Sequence, residues 1–131
     1  MIYYIVTAEA LNFRLIRHKA ILFEQDGKLY VTHKNENGAH LELLYDFLAS
    51  GRKLLSKEAH QCKNAHQVRI YFAEHKDEEF NLISSNCEHY VSGFRKQNGE
   101  SVLIQSPQVA TVCFLFLAAV ALVGYYYWLR K

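Results

Sequence analysis

An apolar run near the C-terminal end constrains the fold of this chain more than any other feature. Residues 109–129 are 21 consecutive positions without a charged side chain, and only Thr111 and Gly124 fall outside the hydrophobic set. As an α-helix the run would be about 31 Å long, enough to cross the hydrocarbon core of a bilayer. The sequence therefore predicts a transmembrane helix over 109–129 and a globular domain over 1–108. A buried core helix is the weaker alternative, because a core helix in so small a domain would carry a polar face.

The charged residues are concentrated in the predicted globular domain. Of 15 basic residues only Arg130 and Lys131 lie beyond the apolar run, which leaves 13 basic and 13 acidic residues in 1–108. This domain is formally neutral and lacks the basic excess expected of a protein that binds nucleic acid. We therefore expect no nucleic-acid partner, and the sequence does not indicate an oligomeric state.

The cysteines and the two ends of the chain indicate the compartment. Cys113 lies inside the apolar run, so Cys62 and Cys87 allow at most one disulfide in the domain, a pattern typical of a reducing compartment. The first residues lack the basic segment of a signal peptide, and Met1–Val6 is predicted as a β-strand. We expect a single-pass membrane protein whose domain faces the cytoplasm, with aromatic residues 125–128 at the membrane interface.

A β-hairpin is the clearest local prediction. Asp26-Gly27 separates two strand-like runs, Arg17–Gln25 and Lys28–Lys34, and is the strongest short-range hairpin signal. A two-residue turn there sets each strand position opposite one position of the other strand. Alternation of side chains then places His18 and His33 on the same face as diagonal neighbours.

Other segments give weaker predictions. A polar loop is expected over 34–38, a short helix from Leu41 to Leu48 ending at Ser50-Gly51, an irregular basic surface loop over 52–66, and a helix from Val68 to His75. No metal or other cofactor is predicted, because the partial ligand pattern of His60, Cys62 and His66 lacks a fourth ligand at a regular spacing.

Cys87 lies at a predicted helix start. Ser85-x-x-Glu88 fits a capping box, which would make Ser85 the N-cap and place Cys87 at the second helical position. A helix N-terminus lowers the pKa of a thiol and so favours the reactive thiolate. The unpaired N–H groups beside Ser85 and Asn86, including that of Cys87 itself, could bind an oxyanion.

A nucleophilic cysteine needs a base and a group that orients the base. The hairpin offers His18 as the base and later the general acid, and His33 as the residue that orients His18. Each feature also has an ordinary explanation, since a half-buried cysteine near a helix start is usually inert and two histidines on a hairpin are usually surface residues. Their combination leaves both the catalytic and the structural interpretation open.

The order of these motifs resembles the lecithin:retinol acyltransferase family, which includes the HRAS-like suppressor phospholipases and acyltransferases and belongs to the permuted papain-like NlpC superfamily. The sequence from Asn86 to Val91, Asn-Cys-Glu-His-Tyr-Val, is close to the signature of that family. The resemblance extends upstream through 68–82 and downstream through the apolar run. It implies an α+β fold in which an antiparallel sheet packs on helices, with a C-terminal membrane anchor.

The resemblance also implies an activity. Cys87 would be the nucleophile, His18 the base and His33 the third polar member of the triad. In this family the cysteine cleaves a fatty acyl ester of a phospholipid, holds the acyl group as a thioester and passes it to water, an amine or an alcohol. The expected protein is therefore a membrane-anchored phospholipase A or acyltransferase without a cofactor, acting on glycerophospholipids.

Two other functions stay open. The Pro-Gly-Asp segment that usually precedes the first strand of this family is absent, Lys19 replaces a frequent aromatic residue, and the hairpin is longer than usual. These departures are compatible with a degenerate, membrane-tethered interaction or regulatory protein. A cysteine peptidase or deamidase of the wider superfamily is the third possibility.

Overall fold

The computed structural model describes residues 1–10, 13–81, 86–100 and 107–130, with side chains except at 10, 13–16 and 107–116. Five strands and four helices follow one another in these ranges. They are β1 Ile2–Ala10, β2 Phe13–Gln25, β3 Lys28–Asn35, β4 Gly38–Leu43, α1 Leu44–Ala49, β5 Leu54–Gln61, α2 Ala65–His75, α3 Cys87–Gln97 and α4 Pro107–Leu129.

The strands form one antiparallel sheet in the order β4-β3-β2-β1-β5, with β2 at its centre. Three of its four neighbouring pairs are consecutive in sequence, and β5 returns after α1 to pair with β1. The predicted α+β class and antiparallel sheet are confirmed.

The predicted hairpin joins β2 to β3. Asp26 and Gly27 have φ angles of 53° and 76°, and two successive positive φ angles are the requirement of a type I′ turn. The register runs from Gln25 opposite Lys28 to Ala20 opposite His33. The hairpin prediction is confirmed, and β2 begins earlier than expected, at Phe13.

The predicted loop over 34–38 is shorter than expected, a turn at 36–37, and the first part of the predicted helix from Leu41 is wrong. The chain turns back after β3 and forms β4, so α1 begins only at Leu44. Asn35 pairs with Gly38 across this second turn, and Gly38 has a φ of +109° that favours glycine. Pairing with β3 therefore prevails over the helical spacing of the leucines.

The predicted surface loop over 52–66 is also wrong, because it contains the edge strand β5. Residues 54–61 include none of the β-branched residues Val, Ile or Thr, so their sequence carries little strand preference. They form a strand through pairing with β1, in which Ile5 lies opposite Glu58. The predicted helix that follows is confirmed as α2, with Asn64 as its N-cap.

Each face of the sheet has its own hydrophobic core. On the α2/α3 face, strand residues such as Ile21 and Phe23 pack against α2 and α3, including Val68 and Phe94. On the opposite face, here called the α1 face, the core is centred on the fully buried Phe47 of α1. The strand residues of that second core are Val6, Ala8, Ala20, Leu22 and Val31.

Helix α4 carries large apolar side chains that are exposed from Leu117 onward, including Val120 at 54% and Trp128 at 70%. In the described part of the chain, no helix combines the length and hydropathy required to cross a membrane. The membrane span expected over 109–129 stays a prediction.

Candidate functional site

His18 and His33 lie side by side on the α1 face. Their Nε2 and Nδ1 atoms are 3.0 Å apart, within hydrogen-bond distance, and their rings meet edge to face at a centroid distance of 5.0 Å. Both side chains are buried. The proximity predicted from the hairpin is confirmed, and the catalytic roles of the two residues stay predictions.

Glu42 on β4 extends this pair into a chain of three residues. His33 Nε2 lies 3.3 Å from Glu42 Oε1, and an ionised carboxylate only accepts hydrogen bonds. His33 Nε2–H therefore donates to Glu42, which leaves Nδ1 of a neutral His33 as an acceptor. His18 Nε2–H then donates to that Nδ1, so the lone pair of His18 is on its own Nδ1.

Both imidazoles are neutral at physiological pH. Burial, with smaller contributions from Arg52 and His40, lowers the pKa of His18 from 6.5 to about 3. Burial lowers the pKa of His33 to about 2, and electrostatic interaction with His18, Arg52 and His40 acts in the same direction. A neutral His18 is in the protonation state that a general base requires.

Phe47 and Arg52 border the histidine pair, and sequence reasoning assigned neither to the site. The Phe47 ring lies 5.0 Å from the ring of His33 and 6.3 Å from that of His18. The Arg52 guanidinium lies over the same ring, 4.9 Å from its centroid. Gly51, with a φ of +95°, follows α1 directly before Arg52. Gly51 ends the helix, and this glycine is the feature of the sequence from which the return of Arg52 over α1 could have been predicted.

Cys87 is the first residue of α3, not the second helical residue as predicted. Asn86 is the N-cap, and its Oδ1 accepts hydrogen bonds from the backbone N–H groups of Glu88 and His89 at 3.0 and 3.1 Å. The capping box based on Ser85 is therefore wrong in register, and Ser85 lies outside the described residues. Asn86, which the sequence placed beside the oxyanion donors, is the residue that caps the helix.

The same contacts restrict the predicted oxyanion site. Two backbone N–H groups of the first turn of α3 already donate to Asn86, so they cannot both serve an oxyanion in this conformation. His89 contributes to the cap as well, because its Nδ1 lies 2.9 Å from Asn86 Oδ1.

Two observations place the start of α3 near the histidine pair. Lys19, next to His18, lies with its Nζ 3.6 Å from Oε1 of Glu88, which follows Cys87. Arg52 interacts electrostatically with both imidazoles and with Cys87. Cys87 itself is 2% exposed and is not part of a disulfide.

The orientation of the two groups differs, however. His18 and His33 share the α1 face with Phe47, whereas α3 packs on the other face through residues such as Tyr90 and Phe94. The register between β2 and β3 ends at Ala20 opposite His33, two residues short of His18 along β2.

Comparison of the chain with protein-family models, curated proteins and solved structures finds no match. Among the described residues, no group of three or more His, Cys, Asp or Glu side chains is placed to hold a metal ion. The site is thus characterised by its own side chains: a neutral histidine pair, an arginine and a buried thiol.

Proposed function

We propose that the protein is a cysteine-dependent phospholipase A or phospholipid acyltransferase with a permuted papain-like fold of the lecithin:retinol acyltransferase type. The hydrogen-bonded chain from His18 through His33 to Glu42 carries this proposal. It provides a neutral base whose orientation is fixed by a second residue, as thiol catalysis needs. The motif around Cys87 supplies the nucleophile.

The reaction proceeds through a thioester. The Cys87 Sγ proton passes to His18 Nδ1, and the thiolate attacks the carbonyl carbon of the acyl ester. The bond between that carbon and the glycerol oxygen breaks, and His18 returns its proton to the oxygen, which releases lysophospholipid. Water or an amine, deprotonated by His18, then attacks the thioester, so fatty acid or amide leaves and the thiol is restored.

An apolar groove beside α1 supports a lipid substrate. Its volume is about 520 Å³, and it extends from the β2–β3 turn to α1. Tyr45 and Leu48 of its lining are 80% and 37% exposed, on the same short helix that contributes Phe47 to the histidine pair. A groove of this composition suits a fatty acyl chain, because it offers apolar contacts.

The C-terminal segment is proposed as the membrane anchor, with the site on the cytoplasmic side. Its 21 uncharged residues and the exposed aromatic side chains near its end support this role. Anchoring would hold the enzyme at the surface that contains its substrate.

The proposal is tested by measuring acyl transfer to the thiol. Full-length protein in detergent is incubated with phosphatidylcholine of one acyl composition, and intact mass is followed together with release of lysophospholipid. We expect an acyl adduct that is absent in Cys87→Ala and is retained in Cys62→Ala, which removes the other described free thiol. Turnover that survives Cys87→Ala would refute the nucleophile.

A tethered interaction or regulatory protein is the second candidate function. It is favoured by the placement of the histidine pair and α3 on opposite faces of the sheet. The same experiment separates the two functions, because an interaction protein forms no adduct while its thermal unfolding stays cooperative.

A further inference from the structure

Arg52 is the one element of the site that the proposed reaction does not use. Its guanidinium is partly buried and lies over the Phe47 ring, whose other neighbours are the two imidazoles. Both the guanidinium and the His33 ring are centred about 5 Å from the Phe47 ring. Arg52 therefore brings a permanent positive charge next to two histidines that stay neutral.

The guanidinium lacks an anionic partner within the described part of the chain. Its Nε is buried and its N–H donates to no described protein group, and no described carboxylate lies within ion-pair distance. Glu36 and Glu42 act on it only through longer-range electrostatics. By contrast, Arg69 donates from its Nε to Gln25.

A half-buried arginine with an unpaired N–H is costly unless an anion completes it. Guanidinium is planar and presents parallel N–H groups that match the oxygens of a phosphate. In a glycerophospholipid the phosphate is attached to the glycerol backbone that also carries the acyl esters. A substrate whose ester is at the histidine pair thus has its anionic group a few bonds away.

We infer that Arg52 binds the phosphodiester of a glycerophospholipid and so selects phospholipids over neutral acylglycerols. This inference rests on the proposed function for its substrate class. Arg52 acts here as a specificity residue, and the cation–π contact with Phe47 holds its side chain beside the histidine pair.

The kinetic test compares two substrates with identical acyl chains, phosphatidylcholine and diacylglycerol, in the same detergent micelles. We expect Arg52→Gln to lower kcat/KM for phosphatidylcholine roughly 10- to 100-fold, the range for loss of charged hydrogen bonds, and to change diacylglycerol hydrolysis little. Arg52→Lys should retain part of the selectivity. Lys53→Gln, which removes an exposed neighbouring charge, should match the wild type.

An equal loss on both substrates would overturn the inference. If Arg52→Gln also moved the pH midpoint of Cys87 alkylation upward, the charge would be serving the thiolate instead. Thermal unfolding of each variant shows whether a loss comes from misfolding.

A binding measurement separates this inference from the proposed activity. Glycerophosphocholine and inorganic phosphate are titrated into full-length protein while the imidazole NMR signals of His18 and His33 are followed. Shifts caused by glycerophosphocholine in the wild type but not in Arg52→Gln support the inference, even if the wild type hydrolyses no lipid. Absence of shifts, or a response to inorganic phosphate alone, overturns it.

Discussion

Asn86 organises the start of α3 with a single side-chain oxygen. Its Oδ1 accepts from two backbone N–H groups and lies within hydrogen-bond distance of the His89 ring, while the side chain is fully buried. Removal of such a buried cap breaks more than one hydrogen bond, because no water takes the place of the lost oxygen. The position of Cys87 therefore depends on the residue before it.

We expect Asn86→Ala to lower the free energy of unfolding by about 1–2 kcal/mol. Asn64→Ala is the matched control, since Asn64 caps α2 from an exposed position and accepts from Gln67 N. It should cost about 0.5–1 kcal/mol, at the low end of the range for caps. Urea denaturation of both variants measures the difference, and equal losses would contradict a special role for Asn86.

The buried histidines make stability depend on pH. Their folded-state pKa values lie below 6.5, so between pH 6.5 and about pH 3 the unfolded chain binds protons that the native protein does not. Stability is therefore complete above pH 6.5 and falls on acidification. Each imidazole contributes a slope of up to about 1.4 kcal/mol per pH unit.

Denaturant titrations between pH 7 and about pH 5 test this slope. His33→Gln should flatten it, because one buried imidazole is removed. His66→Gln changes an exposed histidine and should leave the slope unaltered. A slope unchanged in His33→Gln would mean that His33 is solvated in solution.

Helices α2 and α3 approach each other closely at Gly93. A Cβ on Gly93 of α3 would lie 2.5 Å from the hydroxyl oxygen of Tyr71 on α2. That hydroxyl donates to the backbone carbonyl of Tyr90. Gly93 is thus needed because a neighbouring side chain occupies the space above it.

Gly93→Ala should destabilise the protein by about 1–3 kcal/mol through overpacking. Tyr71→Phe removes the hydroxyl and should cost about 1 kcal/mol by itself, for the lost hydrogen bond. In the double variant most of the Gly93→Ala penalty should disappear, since the clashing atom is gone. Simple additivity in this double-mutant cycle would exclude the clash. Gly124→Ala, with no atom within 4 Å, is the neutral control.

The sequence predicted those elements whose signal is local. Asp26-Gly27 set the hairpin and its register, and this was sufficient to pair His18 with His33. β4 and β5 were missed because their residues become strands through pairing with β3 and β1. The missed strand β4 contributes Glu42, and Arg52 comes from the loop before β5, which was predicted only as part of a basic surface segment. Local sequence patterns therefore indicated His18 and His33 but neither Glu42 nor Arg52.

At the scale of the whole molecule, the exposed apolar surface of α4 contrasts with a domain that buries its apolar residues in two cores. The proposed insertion of α4 into a bilayer can be tested by placing a charge in the helix. A charge near the centre of a span opposes insertion by about 2.5–3.5 kcal/mol.

We expect Val120→Arg to reduce the fraction of full-length protein that sediments with phosphatidylcholine vesicles. Ile70→Arg is the matched control, because Ile70 is 41% exposed on α2 and undergoes the same change outside α4. Sedimentation that is equal for Val120→Arg and the wild type would contradict anchoring through α4.

The central strand has a consequence for how this protein can change. From His18 to Phe23 all but Lys19 are buried, and alternate residues face separate cores, so neither side of β2 is free. In a saturation library over these positions, few variants should fold, whichever face of the sheet the substituted side chain points to. A library over the edge strand β5 should contain many more folded variants. In attempts to evolve a new specificity, the tolerated substitutions should then lie at the edge of the molecule, in α1 and the turn that follows it.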